Sequence, residues 1–315
     1  HHDMNGNKKH LQTSKHTLRE QYTLIKNSLS HLIAAKKVIH IDIPSHLNIG
    51  DLLIDRATEK FIIDSNARCI ARYSFWDIDR LTCKNIDHST TLLLHGGGNF
   101  GDLYPRHQNL RTNIVDSYPD NPIIILPQTL HYKDQSIIEK DARTFNRHKN
   151  LRICMRDQIS YNELSKYVNT DKLLLLPDMA VALVDEVGSA HKTSNNTLLF
   201  RRRDIESPAS FKTDNTFDWE DLVSESDNKN LHRSRRNLRK SNSWLRFSYG
   251  HFLQKKLRDI LIERAISHFQ QYSIIDSDRL HGIILAQLLQ IPTIPRDNSY
   301  GKNNRYCETW LNEQA

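Results

Sequence analysis

Residues 91–102 read Thr-Leu-Leu-Leu-His-Gly-Gly-Gly-Asn-Phe-Gly-Asp, followed by Pro105 and the amphipathic segment His107 to Ser117. Thr91 to His95 is a short run with three consecutive leucines at its centre, the length of a strand buried on both faces and too short for a helix. Glycines interrupt it, and a helix begins. Strand, loop and helix in that order form the repeating unit of a parallel sheet covered by helices.

Outward from this stretch the same order recurs. Strands are expected at Val38 to Ile43, Ala67 to Tyr73, Pro122 to Pro127, Leu151 to Met155 and Leu173 to Pro177. Helices are expected near Leu52 to Ile63, Asp134 to His148 and Gln158 to Val168. The runs are continuous rather than alternating, so both sheet faces are covered, as in a Rossmann-like domain over residues 38–190. In residues 1–37, Leu18, Tyr22, Ile25, Leu29 and Leu32 recur at steps of three and four and mark a helix packed on that domain. His1 and His2, with Asp3 and Met4, read as a tag remnant.

A second series begins after the polar linker Val187 to Asn196. It has a strand at Thr197 to Phe200, a helix at Phe252 to Phe269, a strand at Tyr272 to Ile275 and a helix at Ile283 to Leu289. This predicts a second Rossmann-like domain over 191–315, so the expected fold is α/β, two Rossmann-like domains facing a cleft. A length of 315 residues suits two cores better than one. Within the second half, Asp204 to Gly250 is charged and poor in apolar periodicity, with a basic run His232 to Arg246, and reads as an excursion with freedom to move.

Hydrophobic residues make up 38% and charged residues 26%, with a mean hydropathy of -0.62, the balance of a globular protein with a polar surface. No apolar stretch approaches the ~20 residues of a membrane span and none resembles a secretory signal, so a cytoplasmic protein is expected. The net charge of +7 points to anionic partners. Cys69, Cys83, Cys154 and Cys307 are scattered without zinc-like spacing and read as reduced structural thiols. There is no G-x-S-x-G, G-x-x-x-x-G-K-[ST] or H-E-x-x-H sequence, which argues against esterase, P-loop and zincin chemistry. Gly96-x-Gly98-x-x-Gly101 fits a dinucleotide fingerprint formally, but Asp102 and Pro105 stand where the pyrophosphate-binding helix should begin.

Ligands of open parallel sheets collect at the carboxyl ends of the strands, and the residues there are polar and cationic. Strand one is followed by Asn48-Ile-Gly-Asp51 and strand three by a loop containing Asn99-Phe-Gly-Asp102, each expected to open a helix. Gly97 and Gly98 allow close backbone approach, while Asn48, Asn99, Asp51 and Asp102 can orient sugar hydroxyls or simply cap helices. After the later strand comes Ser277-Asp278-Arg279-Leu280-His281-Gly282, where a helix start, a guanidinium and an imidazole together make an anion site. A cap at Ser277 or Asp278 with Arg279 paired to a carboxylate explains the same residues structurally. Gln128, Thr129, His131, Arg156, Arg201 to Arg203 and Lys302 can converge on the same cleft.

In this order these motifs resemble the polysaccharide pyruvyltransferase family, over about His40 to Trp310. Leu126-Pro-Gln-Thr-Leu-His131 and Asp297-Asn-Ser-Tyr-Gly-Lys302 look like its exopolysaccharide branch. The resemblance implies a GT-B-like fold, phosphoenolpyruvate as donor, and transfer of its pyruvyl group to two hydroxyls of a sugar in a surface glycan, free or lipid-linked. It further implies Arg279, Leu280 and His281 beside the donor, with Arg156 and His131 as companions. The second domain is then the donor side and the first the acceptor side. His281 is the expected acid, Arg279 and Arg156 are anion clamps, and Asp51 or Asp102 is the acceptor-orienting group or base. Asn48, Gly97, Gly98, Asn99, Gln128, His131, Arg201, Ser277, Leu280 and Lys302 complete the expected binding set, with no cofactor and no metal. The long charged excursion departs from the family pattern.

Two other readings compete. A GT-B glycosyltransferase using a nucleotide sugar would share the architecture. A nucleic-acid module on Arg233 to Arg246, with Trp244 and Phe247 stacking on bases, would leave the strand-end loops idle, so no nucleic-acid partner is expected. The mixture of basic and apolar residues from His232 to Phe252 is instead the pattern of a surface resting on an anionic membrane at its inner face, with a solvated loop as the plainer alternative.

Overall fold

The computed structural model describes residues 10–82, 86–190, 194–207, 215–240 and 243–311. His1 to Met4, Cys83, and parts of the expected linker and excursion lie outside the described residues. The chain opens with α1 (Lys15–Ile33), capped by the Ser14 hydroxyl. It continues through β1 (Lys37–Ile43), α2 (Ile49–Asp64), β2 (Arg68–Ser74), the single turn α3 (Asp79–Thr82), β3 (Thr91–Leu94), β4 (Gly97–Gly101) and α4 (Pro105–Ser117). β5 (Ile123–His131), α5 (Gln135–Arg147), β6 (Leu151–Met155), α6 (Gln158–Ser165) and β7 (Leu173–Leu175) complete this half. These seven strands form one parallel sheet in the order β2-β1-β3-β5-β6-β7, with β4 also paired to β5.

The glycine segment expected as a loop is thus a strand. β3 pairs with Ile123 to Ile125 of β5, and β4 then takes over as neighbour of Gln128 to His131. Glycine makes the approach possible: Gly101 has φ 128°, and a Cβ there would stand 1.8 Å from the His131 carbonyl oxygen. For the same reason only the first Asn-x-Gly-Asp opens a helix, with Asn48 capping α2, while the second lies in β4 and the turn after it. α4 starts at Pro105, whose fixed φ suits the first helical position.

The second sheet holds β8 (Thr197–Phe200), β9 (Ile274–Ser277) and β10 (Thr293–Pro295), parallel in the order β10-β9-β8. Its helices are α7 (Glu225–Lys240), α8 (Trp244–Phe269), α9 (Leu280–Leu288) and α10 (Lys302–Trp310). β10 was not expected, because three residues ending in proline carry too little pattern. It pairs with β9 on one side and meets Leu11 in an antiparallel bridge.

One apolar cluster joins the halves, drawing Leu52 and Phe61 of α2, Leu93 of β3, Leu261 of α8, Ile275 of β9 and Ile283 of α9 into a common core with α1. A second cluster fills the other face of the larger sheet, where Leu110, Phe145 and Leu164 of α4, α5 and α6 cover it. A mixed α/β fold of Rossmann-like type is the result, and none of the described helices is long and apolar enough to cross a membrane.

The charged excursion is not a loose loop where it is described. α7 and α8 form a hairpin, and α8 begins eight residues before the expected Phe252. Leu231, Ser234 and Leu238 face inward, and Gly250 lets α8 approach until a Cβ there would lie 2.9 Å from Leu238. The hairpin is tied to the larger sheet's loops: Arg235 Nε donates to Ser45 O at 2.7 Å and His251 Nε2 lies 3.0 Å from Asp77. Two leucines in sixteen residues were too sparse an apolar pattern to announce α7.

Candidate functional site

The carboxyl ends of both sheets open on one cleft of about 600 Å³. From the larger sheet come the β1–α2 loop (His46, Asn48, Asp51), β4 (Gly98, Asn99), Tyr104, His107, and Arg156 after β6. From the smaller come the residues after β8 (Arg202, Asp204, Glu206), Trp219, and Arg279, Leu280 and His281 after β9, with Lys302 at the start of α10.

The two halves touch at His281. Its ring lies so close to the first turn of α2 that a Cβ on Gly50 would be 2.9 Å from Nδ1 and 3.0 Å from Cβ and Cγ. On the ring's other side Nε2 lies 3.1 Å from Asp178 Oδ2. Asp178 is fully buried after β7 and accepts from Arg156 Nη1 at 2.6 Å and from Ala180 N at 2.8 Å. Burial pushes its carboxyl upward, but His281, Arg156 and the Ala180 amide outweigh this and hold it well below the usual carboxylate range. An ionised carboxylate only accepts, so Nε2 carries a hydrogen, and Nδ1 lies beside Gly50.

Arg156 is 2% exposed. Nε donates to Thr129 Oγ1 at 2.8 Å, and Nη2 lies beside Gly98, 3.1 Å from where a Cβ would stand. Lys302 Nζ approaches the same glycine, donating to its carbonyl at 3.3 Å and pairing with Glu206 at 2.6 Å. Burial brings its ammonium down to about 8 despite Glu206, with Arg202 and Arg156 acting in the same direction as burial. A side chain on Gly98 would displace Lys302, since a Cβ falls 2.6 Å from Nζ. Glycine here lets two cations reach the β4 backbone.

Asp51 pairs with His46 at 3.2 Å; burial raises its carboxyl, but the His46 hydrogen bond and charge, with His95 and His281, bring it well below its ordinary range. A polar side chamber lies beyond it, lined by Asp42, His46, Asp51, His95, Asn99 and His107. Asp42 holds His107 at 2.8 Å from φ 65°, a strained backbone for a non-glycine residue. Behind the chamber is a buried chain: Asp55 lies 3.6 Å from His40 Nδ1, and His40 Nε2 is 3.0 Å from His95 Nδ1. Asp55 accepts two bonds from Arg72, and burial, outweighed by Arg72 and Arg258, leaves it ionised. Its charge favours the hydrogen on His40 Nδ1, so His40 Nε2 accepts from His95 Nδ1, leaving a lone pair on His95 Nε2, which is buried and without a protein partner.

Of the residues singled out in the sequence, Asn48, Asp51, Gly98, Asn99, Arg156, Arg202, Arg279, Leu280, His281 and Lys302 line the cleft. Gly97 lies just behind, at φ 134°. The others lie elsewhere. Thr129 accepts from Arg156, and Arg203 pairs with Glu220 and Asp221. Asp102 accepts from the Lys133 and Asp134 amides at 2.8 Å and fastens the end of β5, because its strand carries it out of the cleft. Gln128 is fully buried and bridges His95 O and Asn99 N, supporting β4 from behind. His131 packs on Tyr300, ring centroids 4.6 Å apart, beside a different depression. Arg201 is engaged by Asp276 within the smaller sheet. Ser277 accepts from Arg279 N and sits beneath Gly282.

Arg279 lines the cleft with its charge already matched: Nε and Nη2 each lie 2.9 Å from Asp218, and Nη1 lies 3.3 Å from Asp204. Asp178, Asp204, Glu206 and His46 were not singled out. Asp178 stands directly after the strand Leu173 to Pro177, where the strand-end rule points, but its meaning rests on a histidine 103 residues later. Among the described residues, no group of three histidine, cysteine or carboxylate side chains could hold a metal ion.

Comparison with known proteins gives the family and the fold. The protein is 33% identical over 305 residues to "Putative pyruvyl transferase EpsO" of Bacillus subtilis (strain 168), covering 95% of this chain and 92% of the relative. It is 28% identical over 316 residues to "Pyruvyl transferase 1" of Schizosaccharomyces pombe, covering 94% and 75%. A crystal structure of the functionally uncharacterised protein KP1_0663 from Klebsiella pneumoniae superposes with a TM-score of 0.57 at 18% identity, over 92% of this chain and 93% of that one, and shows a shared fold. The model of the family described as polysaccharide pyruvyl transferase matches residues 48–300, and with four-fifths of its length inside that match the chain is an enzyme belonging to the polysaccharide pyruvyl transferase family.

Proposed function

We propose that the enzyme takes the pyruvyl group from phosphoenolpyruvate and places it across two hydroxyls of one sugar in a bacterial surface glycan. The observation that carries this reading is the convergence of Arg156, Lys302, Arg202 and His281, with the first-turn amides of α9, on a single cleft. A donor with a carboxylate at one end and a phosphate at the other needs cations at both. Arg156 and Lys302, which meet at Gly98, are the clamps. Arg279, paired with Asp218 as Arg156 is with Asp178 and Lys302 with Glu206, frames the cleft beside them.

His281 acts as the acid. A proton passes from the His281 imidazolium to the donor's methylene carbon, the adjacent carbon becomes cation-like, and a sugar oxygen bonds to it as that hydroxyl loses its proton. The bond between that carbon and the phosphate oxygen then breaks, releasing phosphate, and the second hydroxyl bonds to the same carbon to close the ketal, its proton returning to His281. Asp51, ionised far below neutral pH, is a poor proton acceptor and orients the acceptor. His95, with its lone pair at the side chamber, is the base, and Asp55 acts through His40 to fix that tautomer.

The test is phosphate release from phosphoenolpyruvate with a panel of free and lipid-linked oligosaccharides, with the ketal methyl group detected by NMR and EDTA present throughout. Turnover of a nucleotide sugar in its place, with no phosphate released from phosphoenolpyruvate, would transfer the enzyme to the glycosyltransferases. His281→Ala should lower kcat by roughly 10²- to 10⁴-fold if it is the acid. His95→Gln should do so while leaving donor affinity unchanged.

A further inference from the structure

The α7–α8 hairpin presents a surface that the cleft does not use. Residues 228–258 contain ten lysines and arginines and no aspartate or glutamate. In the midst of this one-signed stretch, α8 opens with Trp244, Leu245, Tyr249 and Phe252, which are 75%, 72%, 41% and 58% exposed. At 100° per residue Leu245, Tyr249, Phe252 and Lys256 share one face, with Trp244 at its edge, and the buried Gly250, Gln254 and Leu257 occupy the other. The Tyr249 and Phe252 rings lie 6.5 Å apart and 21° from parallel, so the side chains form one surface rather than isolated exposures.

An exposed apolar patch of this size, rimmed by charge, marks an interaction surface. Its composition selects the partner. Lys255 and Arg258 are matched by Asp55 and Glu59 of α2, and the remaining basic residues of a second copy would oppose those of the first. A nucleic acid would need aromatic faces for stacking, but Phe247, the second candidate in the sequence, is turned inward between Tyr73, His251 and Arg80. An aliphatic and aromatic face beside lysine and arginine, on a helix lying flat on the protein, suits the boundary between headgroups and acyl chains of an anionic bilayer.

We propose that the first turns of α8 dock on an anionic lipid bilayer, with Trp244, Leu245, Tyr249 and Phe252 entering the headgroup boundary and Arg246 and Lys256 meeting the anionic headgroups. The hairpin is fastened to the rim of the cleft through Arg235 and Ser45, the neighbour of the cleft residue His46, so docking sets the acceptor side of the cleft near the membrane surface. The proposal concerns a surface separate from the catalytic groups and does not depend on the identity of the donor.

The experiment is co-flotation of the full chain with vesicles of phosphatidylglycerol and phosphatidylcholine, against vesicles of phosphatidylcholine alone, at low and high salt. Binding is expected to the anionic vesicles only and to weaken with salt. The variant Trp244→Ser/Leu245→Ser/Phe252→Ser should bind roughly tenfold more weakly or worse, and Arg246→Glu/Lys256→Glu should shift the salt dependence. Both should melt as the unaltered protein does and, without vesicles, release phosphate at the same rate. Three outcomes would overturn the proposal: no binding to anionic vesicles at low salt, undiminished binding by the triple variant, or a dimer in light scattering that the triple variant abolishes.

Discussion

Asp178 has two cations to satisfy and one orientation to impose. With Asn in its place, the amide could offer Nε2 of His281 either a donor or an acceptor, and the ring would lose its fixed tautomer. Asp178→Asn is therefore expected to reduce kcat by roughly 10²-fold or more while leaving the donor's KM nearly unchanged. A purely structural aspartate would lower the melting temperature and leave kcat of the folded enzyme in place. Lys302 gives a second prediction at this scale. With its ammonium at about 8, the cation is lost as pH rises through that value, so the donor's KM should increase above it. Lys302→Arg should carry the rise to higher pH, because guanidinium stays protonated; titration of KM between neutral and alkaline pH reads both.

Elements are held to one another most firmly around Asp55. From α2 its carboxylate accepts two bonds from Arg72 of β2 at 2.8 Å, with Arg258 and Gln254 of α8 at 3.3 and 3.2 Å. Removing the charge leaves the buried Arg72 guanidinium without its counter-ion, while Arg258 keeps Glu59 and Asp259, and Asp55→Asn should cost about 3 kcal/mol in urea unfolding. Because folding depresses this carboxyl, its stabilisation is complete above the unfolded value of about 3.9 and is lost as pH falls through the lower folded one. The legibility of elements in the sequence followed how much pattern each carried. Thr91 to Leu94 and Ile274 to Ser277 stood out, the first by its three consecutive leucines and the second by the apolar residues before the motif that follows it. β4 was hidden, since three of its five residues are glycine and glycine reads as a break. α7 was hidden by its charge. At the site, Arg279 and His281 were legible because they follow a strand, whereas Asp102 occupied an equivalent position and was carried elsewhere by the strand pairing of Gly101.

For the whole molecule the decisive contact is Gly50 against His281, where α2 of the larger sheet meets α9 of the smaller. A methyl group there must push the imidazole or separate the helices. Gly50→Ala should lower turnover by roughly 10²-fold through misplacement of His281, with a far smaller change in melting temperature; unchanged turnover would mean that the ring has room to adjust. The bridge between Leu11 and Thr293 works over a longer span. Thr13 N donates to Gln287 Oε1 at 2.6 Å, and Leu11 exchanges backbone bonds with Thr293. During synthesis the ribosome makes Leu11 long before Thr293 exists, so the segment at Leu11 has to wait for about 280 further residues to emerge. Nascent chains arrested before β10 has left the exit tunnel should be clipped by protease near Thr13, and released chains should resist that cut, making a segment translated early one of the last to find its place.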